Sequence, residues 1–402
     1  MYDEQQFTHL ARIHAHPRDA GIHFDEPTHV YTIARDAQTR YTSVTTFLGS
    51  LFHANAFDAP KMARRIAAQP NHKRSKREYW DKSAAELELM WAANGDAART
   101  KGTAMHLDVE RFFNGLPTVA AEHAARALRA PPAPSREMQF FYDWWERGAP
   151  EMLQRQQQQQ AEAAASAEAE LLFEEDPPPP PSPLQQQQLL LEPWRTEWCV
   201  YWEEYALAGS IDMVFRDTRT GQLAVYDWKR VCKDLTPNGH LLQKWPAGYA
   251  STPGLEHVPD TPYWHYALQL NLYKRILEAK YGAKVAPPLV LVVLHPDNAA
   301  ALRIELPELP EEIDAVLAHR KRQMSSGATP LLLSAPPPSE WELACRRARL
   351  LGLPAPVGEQ QQCCGGDDEE EEEGNVVAPP QQQRKRKLPA NDNTCCAFPA
   401  DE

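Results

Sequence analysis

The chain has 402 residues and a formal net charge of −13 at neutral pH, a length that fits one large domain or two modest ones. Its first residues are neither basic nor apolar, and no apolar run approaches the length of a membrane span. These features argue against a signal peptide, a transit sequence and a membrane protein, so the sequence predicts a soluble intracellular protein.

Short elements come first along the chain. Residues 29–33 and 42–46 are typical of strands or strand-to-helix segments, and a helix is predicted near residues 58–68. Ser43 and Thr45 stand where a hydroxyl ordinarily caps a helix. The same hydroxyls and the neighbouring amides can also bind a phosphate. The sequence leaves both roles open.

A basic stretch then leads into Tyr79 and Trp80. Between residues 61 and 77 there are seven basic and no acidic side chains. Such a stretch can follow a phosphate backbone while an aromatic ring stacks on a base. It can equally be an ordinary solvated helix face followed by a loop. The basic residues are Lys61, Arg64, Arg65, Lys73, Arg74, Lys76 and Arg77.

A helix is predicted from Thr103 to Asn114, because its apolar residues recur at helical spacing and Gly115 follows as a stop signal. His106 and Glu110 are four residues apart, so they lie on the same face of this helix. A lone helical histidine can be a structural residue or a metal ligand. Glu110 can hold the tautomer of that histidine or a water-bound cation.

Two stretches of biased composition are predicted to be disordered, since they cannot bury enough apolar surface to offset chain entropy. Residues 151–193 are rich in Gln, Pro and Glu, and residues 355–402 contain an acidic run and the basic segment Arg384–Lys387. Each stretch contributes −7, from eight acidic and one basic residue in the first and eleven and four in the second. The remainder is therefore close to neutral, and the acidity of the whole chain does not argue against a nucleic-acid substrate. Arg384–Lys387 is either a nuclear address or plain charge balance.

A β-hairpin is predicted after the first disordered stretch. A strand begins at Glu197, which is either an acid at a cleft or an exposed strand residue. Apolar runs then flank the turn-rich segment Asp217–Gly221, and folding about that turn places Asp212 opposite Asp227. Lys229 shares a sheet face with Asp227. Two carboxylates and an ammonium so close together must neutralise one another or hold a cation, and paired carboxylates suit Mg²⁺.

The last predicted elements are a long helix over Tyr263–Tyr281, a buried strand over Pro288–Leu294 and helical structure over residues 307–352. Gln269 and Tyr273 are four residues apart and share one face of the long helix. Gln269 is either exposed or at the site, and Tyr273 is either core packing or part of the same site.

The pattern Asp212, Asp227-x-Lys229 resembles the PD-(D/E)XK nuclease superfamily. Gly102-Thr103 followed by His106 resembles the G-T-x-x-H motif of its RecB-like branch, and Gln269 with Tyr273 resembles the Q-x-x-x-Y motif of that branch. Residues 41–46 are similar to the S-V-T segment of mitochondrial genome maintenance exonuclease-like and viral members. The chain departs from the family pattern in having no proline before Asp212, which RecB-like members often lack.

The resemblance implies an α/β fold with a restriction-endonuclease-like core, in which a central mixed β-sheet is flanked by helices and extended by N-terminal helical additions. One nuclease domain would then comprise residues 1–150, which carry the His106 helix, and residues 194–354, which carry the hairpin and the Gln269–Tyr273 helix. The implied catalytic residues are Asp212, Asp227 and Lys229. The implied metal ligands are His106, Asp212, Asp227 and the backbone carbonyl of Trp228.

The implied function is hydrolysis of DNA with Mg²⁺ or Mn²⁺, by an exonuclease that needs single strands or free ends and serves replication, repair or recombination. Gln269 and Tyr273 would lie beside the DNA. The alternative is a catalytically silent nuclease fold that binds nucleic acid or acts as a scaffold. An iron–sulphur cluster is not expected, because the seven cysteines show no CxxC spacing and four of them lie in the second biased stretch.

Overall fold

The computed structural model describes six parts of the chain and one further residue: 9–55, 58–115, 134–146, 191–231, 248–325, 338–354 and 356. The predicted disordered stretches lie outside these residues, except where they adjoin them. Arg384–Lys387 and five of the seven cysteines also lie outside. The two described cysteines, Cys199 and Cys345, are free thiols.

The N-terminal part alternates short helices with short strands. Ser43 confirms the capping interpretation, because its side chain accepts a hydrogen bond from the Thr46 N–H at 3.0 Å and so begins the helix that follows a two-residue strand. The elements are α1 (His9–Ile13), β1 (Ile22–Asp25), β2 (Val30–Ile33), β3 (Thr42–Ser43), α2 (Val44–Gly49) and α3 (Ala59–Ala67).

Helix α4 runs from Ala84 to Phe113, so it begins nineteen residues before Thr103, the predicted first residue. A capping box formed by Ser83 and Glu86 begins the helix. The apolar stripe that carries the sequence signal starts only at Met105, because α4 buries no side chain between Leu87 and that residue. Periodicity of burial therefore cannot reveal the first part of α4. Helix α5 follows over residues 136–146.

A six-stranded mixed sheet forms the centre of the fold, in the order β3-β5-β6-β7-β8, with β4 paired along β5. The pairs β3–β5 and β6–β7 are parallel, and the other pairs are antiparallel. The strands are β4 (Leu191–Trp202), β5 (Leu207–Asp217), β6 (Leu223–Lys229), β7 (Leu289–Val293) and β8 (Leu302–Leu306). The remaining helices are α6 (Pro262–Lys280), α7 (Pro310–Ser325) and α8 (Glu340–Leu350). This arrangement confirms the predicted α/β fold with a central mixed sheet flanked by helices.

Two apolar clusters cover the two faces of the sheet. On strand β6, Val225 belongs to the cluster with α2, α6 and α7. Tyr226 and Trp228 belong to the cluster with α4 and α5, where aromatic rings surround Trp228. Because side chains alternate along a strand, Asp227 and Lys229 project to the α6 face. None of the described helices combines the length and apolar composition that a membrane span requires.

Candidate metal centre and active site

The hairpin of β5 and β6 has the predicted register. Met213 pairs with Tyr226, which places Asp212 opposite Asp227 one step further along. The ladder of β5 and β6 ends at the Met213–Tyr226 pair, and the Trp228 N–H donates to Asp212 Oδ2 at 2.9 Å. Asp212 is thus oriented by the backbone of the strand that carries Asp227. The carbonyl of Trp228 as a metal ligand stays a prediction.

Three side chains from three elements converge on one point. His106 Nδ1 on α4 lies 3.5 Å from Glu197 Oε1 on β4 and 3.6 Å from Asp212 Oδ2 on β5. One ligand atom from each of the three lies within 4.8 Å of the other two. Glu197, for which the sequence left two roles open, therefore belongs to the centre itself.

An unusual backbone conformation places Glu197 there. The ladder pairs Thr196 with Met213 and Trp198 with Ile211, so Glu197 stands opposite Asp212. Its φ of 40° lies in the left-handed region, which a residue with a Cβ adopts at a cost of about 1–3 kcal/mol. Ser210 Oγ holds the displaced side chain by donating to Glu197 Oε2 at 2.9 Å.

Asp227 lies beside the three donors but is held by other groups. Lys229 Nζ contacts Asp227 Oδ2 at 2.8 Å and stands 4.0 Å from Asp212 Oδ2. Gln269 Nε2 donates to Asp227 Oδ1 at 3.3 Å. The Lys229 ammonium also lies 5.2 Å from the centroid of the Tyr266 ring. Lys229 is therefore enclosed by two carboxylates and an aromatic face.

The electrostatics of the centre follow from this crowding. Burial disfavours the ammonium of Lys229, but Asp227 and Asp212 outweigh it and raise its pKa above the ordinary lysine value. Burial likewise opposes the imidazolium, yet Asp212 and Glu197 raise the pKa of His106 to about 9. Burial and then Asp212 raise the pKa of Asp227. Without a bound cation, the two protonated bases balance two of the three carboxylates, and the raised pKa of Asp227 lowers the charge of the third.

Glu110 lies one turn beyond His106 on α4, and its carboxyl group favours the neutral form. Burial and the carboxylates of Glu197 and Glu26 raise its pKa to about 8. A neutral Glu110 adds no further negative charge at pH 7 and can donate a proton in a hydrogen bond.

Gln269 and Tyr273, predicted to lie beside DNA, are both buried within the protein. Gln269 contacts Asp227, as described above. A Cβ added to Gly209 on β5 would lie 2.7 Å from the Tyr273 hydroxyl and 2.8 Å from its ring. The strand can approach Tyr273 this closely only because residue 209 is glycine.

Tyr31 and Tyr266 also reach the centre, and the sequence analysis did not identify either. Tyr31 on β2 is buried beneath Glu197 and Asp212, where burial and the nearby acidic groups raise its pKa, and its hydroxyl is hydrogen-bonded to the Ser210 backbone. Helical spacing could have indicated Tyr266, which precedes Gln269 by three residues. No local pattern distinguishes Tyr31.

The residues predicted to contact phosphates differ in availability. Ser43 is occupied as a helix cap, and Thr45 Oγ1 lies 3.2 Å from its hydroxyl. The Arg74 guanidinium donates to four backbone carbonyls, so the prediction that it contacts nucleic acid is corrected: it holds the loop together instead. Lys73 and the neighbouring arginines Arg64 and Arg65 are exposed and form no ion pair with any described residue.

The donor set fits a divalent cation. One imidazole and two carboxylates meet at a half-buried point, and oxygen-rich sets of this kind bind Mg²⁺ or Mn²⁺. Three mutually close donors of this type are costly to assemble unless a cation or a protonated base compensates them.

Comparison with known proteins agrees with this chemistry. A family model described as the PD-(D/E)XK nuclease superfamily matches residues 74–347, which is more than half of the chain. The match includes His106, the hairpin with Asp212 and Asp227, and Gln269. No curated protein matches the sequence. Nucleases of this superfamily use divalent metal ions, and the centre supplies suitable ligands for one. The chain belongs to the PD-(D/E)XK nuclease superfamily.

Proposed function

We propose that the protein is a metal-dependent DNA nuclease of the RecB-like branch that hydrolyses phosphodiester bonds. The observation that carries the proposal is the convergence of His106, Glu197 and Asp212 beside the Lys229–Asp227 pair. A silent nuclease fold would most simply have lost one metal carboxylate or the lysine, and this chain retains them all.

His106, Glu197 and Asp212 would hold the metal, with Asp227 beside them and the Trp228 carbonyl as a further oxygen. A bound Mg²⁺ or Mn²⁺ supplies polarisation of the phosphate and a lowered pKa of bound water. The half-buried positions of these side chains reduce competition from bulk water for the substrate's phosphate oxygens.

Lys229 would act through its charge. Its raised pKa favours an ammonium at neutral pH, which can donate hydrogen bonds but cannot accept a proton. That property supports stabilisation of charge on the phosphoryl oxygens, or orientation of the nucleophile, over a role as general base. Asp227 and the ring of Tyr266 would fix the position of the ammonium.

The finer parts of the proposal concern substrate and process. The G-T-x-x-H and Q-x-x-x-Y resemblances support the RecB-like branch and hence DNA with single-stranded or free ends. An exonuclease of this type would serve DNA replication, repair or recombination.

The test is cleavage of linear single-stranded DNA, labelled at the 5′ or the 3′ end, by the full chain with Mg²⁺, with Mn²⁺ or with EDTA. We expect cleavage that EDTA abolishes and that Asp227→Ala and Lys229→Ala each reduce at least a hundredfold. Asp314→Ala is the matched control, because Asp314 forms an exposed pair with Arg275 away from the centre.

A circular single-stranded DNA distinguishes exonuclease from endonuclease cleavage, since an exonuclease leaves it intact. DNA binding without cleavage under every metal condition would favour the silent binding protein. Undiminished cleavage by both centre variants would refute the assignment of the site.

A further inference from the structure

Residues 58–91 form a small helical arm with its own core. Helix α3, the connecting loop and the start of α4 pack around Ala63, Tyr79 and Leu87, a cluster separate from the two that cover the sheet. The arm therefore has an apolar cluster of its own.

The arm stands well away from the metal centre. Helix α4 buries nothing between Leu87 and Met105, so an exposed stretch of helix joins the arm to the sheet. The ring of Tyr79, which precedes Trp80, packs against Trp91 on α4. At a rise of about 1.5 Å per residue, the distance along α4 from Trp91 to His106 is about 22 Å. A ligand that touches both places must be long.

Helix α3 presents a basic face to solvent. Lys61, Arg64 and Arg65 have i, i+3 and i+4 spacing and are all exposed, whereas Ala63 and Ile66 pack toward α4. The three basic side chains form no ion pair with any described residue. A cationic row of this kind complements a chain of phosphates.

The connecting loop holds Trp80 outward. Arg74 ties the loop together through four carbonyls, those of Ala67, Gln69, Tyr79 and Lys82. Asn71 and Asp81 add a reciprocal pair, with Asn71 Nδ2 donating to Asp81 Oδ1 at 2.6 Å and the Asp81 N–H donating to Asn71 Oδ1 at 2.9 Å. Between these fixed points the Trp80 side chain is 41% exposed, and the Arg77 guanidinium lies 5.8 Å from its ring.

We propose that the helical arm is a second binding site, for single-stranded nucleic acid, in which Trp80 stacks on a base and the basic face of α3 follows the phosphates. An unpaired base offers a free face to an aromatic ring, whereas bases within a duplex are stacked on their neighbours. The proposal rests on the proposed nuclease function only in that the bound strand continues to the metal centre.

The separation sets a length requirement. At a stacked spacing of about 3.4 Å per nucleotide, about 22 Å corresponds to about seven nucleotides. A strand of twenty nucleotides can occupy the arm and the centre together, and one of four cannot.

Binding is measured without metal, so that it does not depend on catalysis. The full chain is titrated into fluorescein-labelled twenty-residue oligo-dT in EDTA, and anisotropy is recorded. We expect Trp80→Ala to raise Kd at least about fivefold, since base stacking on an aromatic ring is worth about 1–3 kcal/mol. Trp80→Phe should keep most of the affinity. Trp341→Ala is the matched control, because Trp341 is equally exposed, at 42%, on α8.

Charge is tested through salt dependence. Replacing Lys61, Arg64 and Arg65 by alanine should reduce the slope of log Kd against log salt by about 2, at about 0.7 per phosphate contact on a single strand. Lys321→Ala with Arg322→Ala, on the exposed end of α7, should leave the slope within about half a unit.

Four results would overturn the proposal. Two are an equal loss of affinity in the Trp80→Ala and Trp341→Ala variants, and a salt slope that the triple alanine variant leaves unchanged. The other two are a loss of duplex-DNA affinity on Trp80→Ala as large as that for oligo-dT, and competition by poly-glutamate as effective as competition by unlabelled oligo-dT. The last result would indicate an acidic protein partner.

Cleavage separates the two proposals. With Mg²⁺, Trp80→Ala should raise KM for a twenty-nucleotide substrate and leave a four-nucleotide substrate unchanged. If wild type does not cleave but binds oligo-dT through Trp80, the nuclease proposal fails and the arm proposal stands. If wild type cleaves and Trp80→Ala does not change binding, the arm proposal fails alone.

Discussion

Replacing the strained Glu197 should weaken metal binding, and the stability of the metal-free fold should then depend on whether the new residue tolerates a left-handed backbone. Its left-handed φ costs about 1–3 kcal/mol with a Cβ-bearing side chain, and asparagine adopts that conformation far more readily than glutamate or glutamine. Glu197→Gln removes the charge and keeps the strain. Glu197→Asn removes the charge and relieves part of the strain. The difference in unfolding free energy between the two variants therefore measures the backbone strain at residue 197.

The magnitudes follow from the contacts. Both variants lose the carboxylate beside Asp212 and weaken the hydrogen bond from Ser210, which is worth about 1 kcal/mol net. Relief of about half the strain gives Glu197→Asn a free energy of unfolding about 0.5–1.5 kcal/mol above that of Glu197→Gln in EDTA. For wild type, metal at a hundred times its Kd adds about 2.7 kcal/mol. A tenfold to hundredfold weaker site would reduce that gain in either variant to about 1.4 kcal/mol or less.

The assay is urea unfolding followed by circular dichroism, in EDTA and in saturating Mn²⁺. Two results would refute the reasoning. One is a Glu197→Asn variant less stable in EDTA than Glu197→Gln, since the backbone would then not be strained. The other is an equal stabilisation by Mn²⁺ in wild type and both variants, since Glu197 would then not be a ligand.

Two other changes test the surroundings of the centre, and a third tests a buried carboxylate on α7 that pairs with His257 and Arg349. Gly209→Ala places a methyl against Tyr273 and should lower the free energy of unfolding by about 1–3 kcal/mol. Gly49→Ala, in helix α2 with no atom within 4 Å, should leave it unchanged or raise it by up to about 1 kcal/mol. Equal losses in the two variants would contradict the packing argument. Tyr266→Leu should lower kcat about fivefold, because it removes a cation–π contact with Lys229 worth about 0.5–2 kcal/mol. Tyr266→Phe keeps the aromatic ring and should keep kcat. An equal loss of kcat in the Tyr266→Phe variant would assign the effect to the hydroxyl. Burial opposes ionisation of Glu312, but its hydrogen-bonded and charged partners lower its pKa. Glu312→Gln should therefore be less stable than wild type, with the full difference in unfolding free energy above about pH 5 and a shrinking difference below about pH 4. A difference in urea unfolding that does not change with pH would exclude that linkage.

The hairpin and the long helix could be predicted from the sequence because their signals are local. A turn segment between alternating runs fixes the register that places Asp212 opposite Asp227, and helical spacing alone puts Gln269 and Tyr273 on one face. The direction of that face is a matter of tertiary packing. The structure directs it at Asp227 and Gly209 inside the protein.

The parts that sequence missed depend on contacts between distant residues. Glu197 enters the centre through a left-handed backbone that no residue pattern encodes. Tyr31 comes from a strand more than 160 residues earlier in the chain than Glu197, and an aromatic residue in a short strand is ordinarily core. Arg74 looks like its basic neighbours in sequence, and only the folded loop shows that carbonyls surround it.

The first biased stretch joins the sheet at Leu191, which pairs with Asp217 at the turn end of the β5–β6 hairpin. Glu197 lies six residues further along β4, about 20 Å away at 3.3 Å per residue. Insertions are tolerated best in connecting segments outside the regular elements, and an insertion in this stretch would enter the fold at the end of the sheet away from the metal centre. The same junction is a natural position at which to insert a fluorescent reporter or affinity tag while leaving the carboxylates in register.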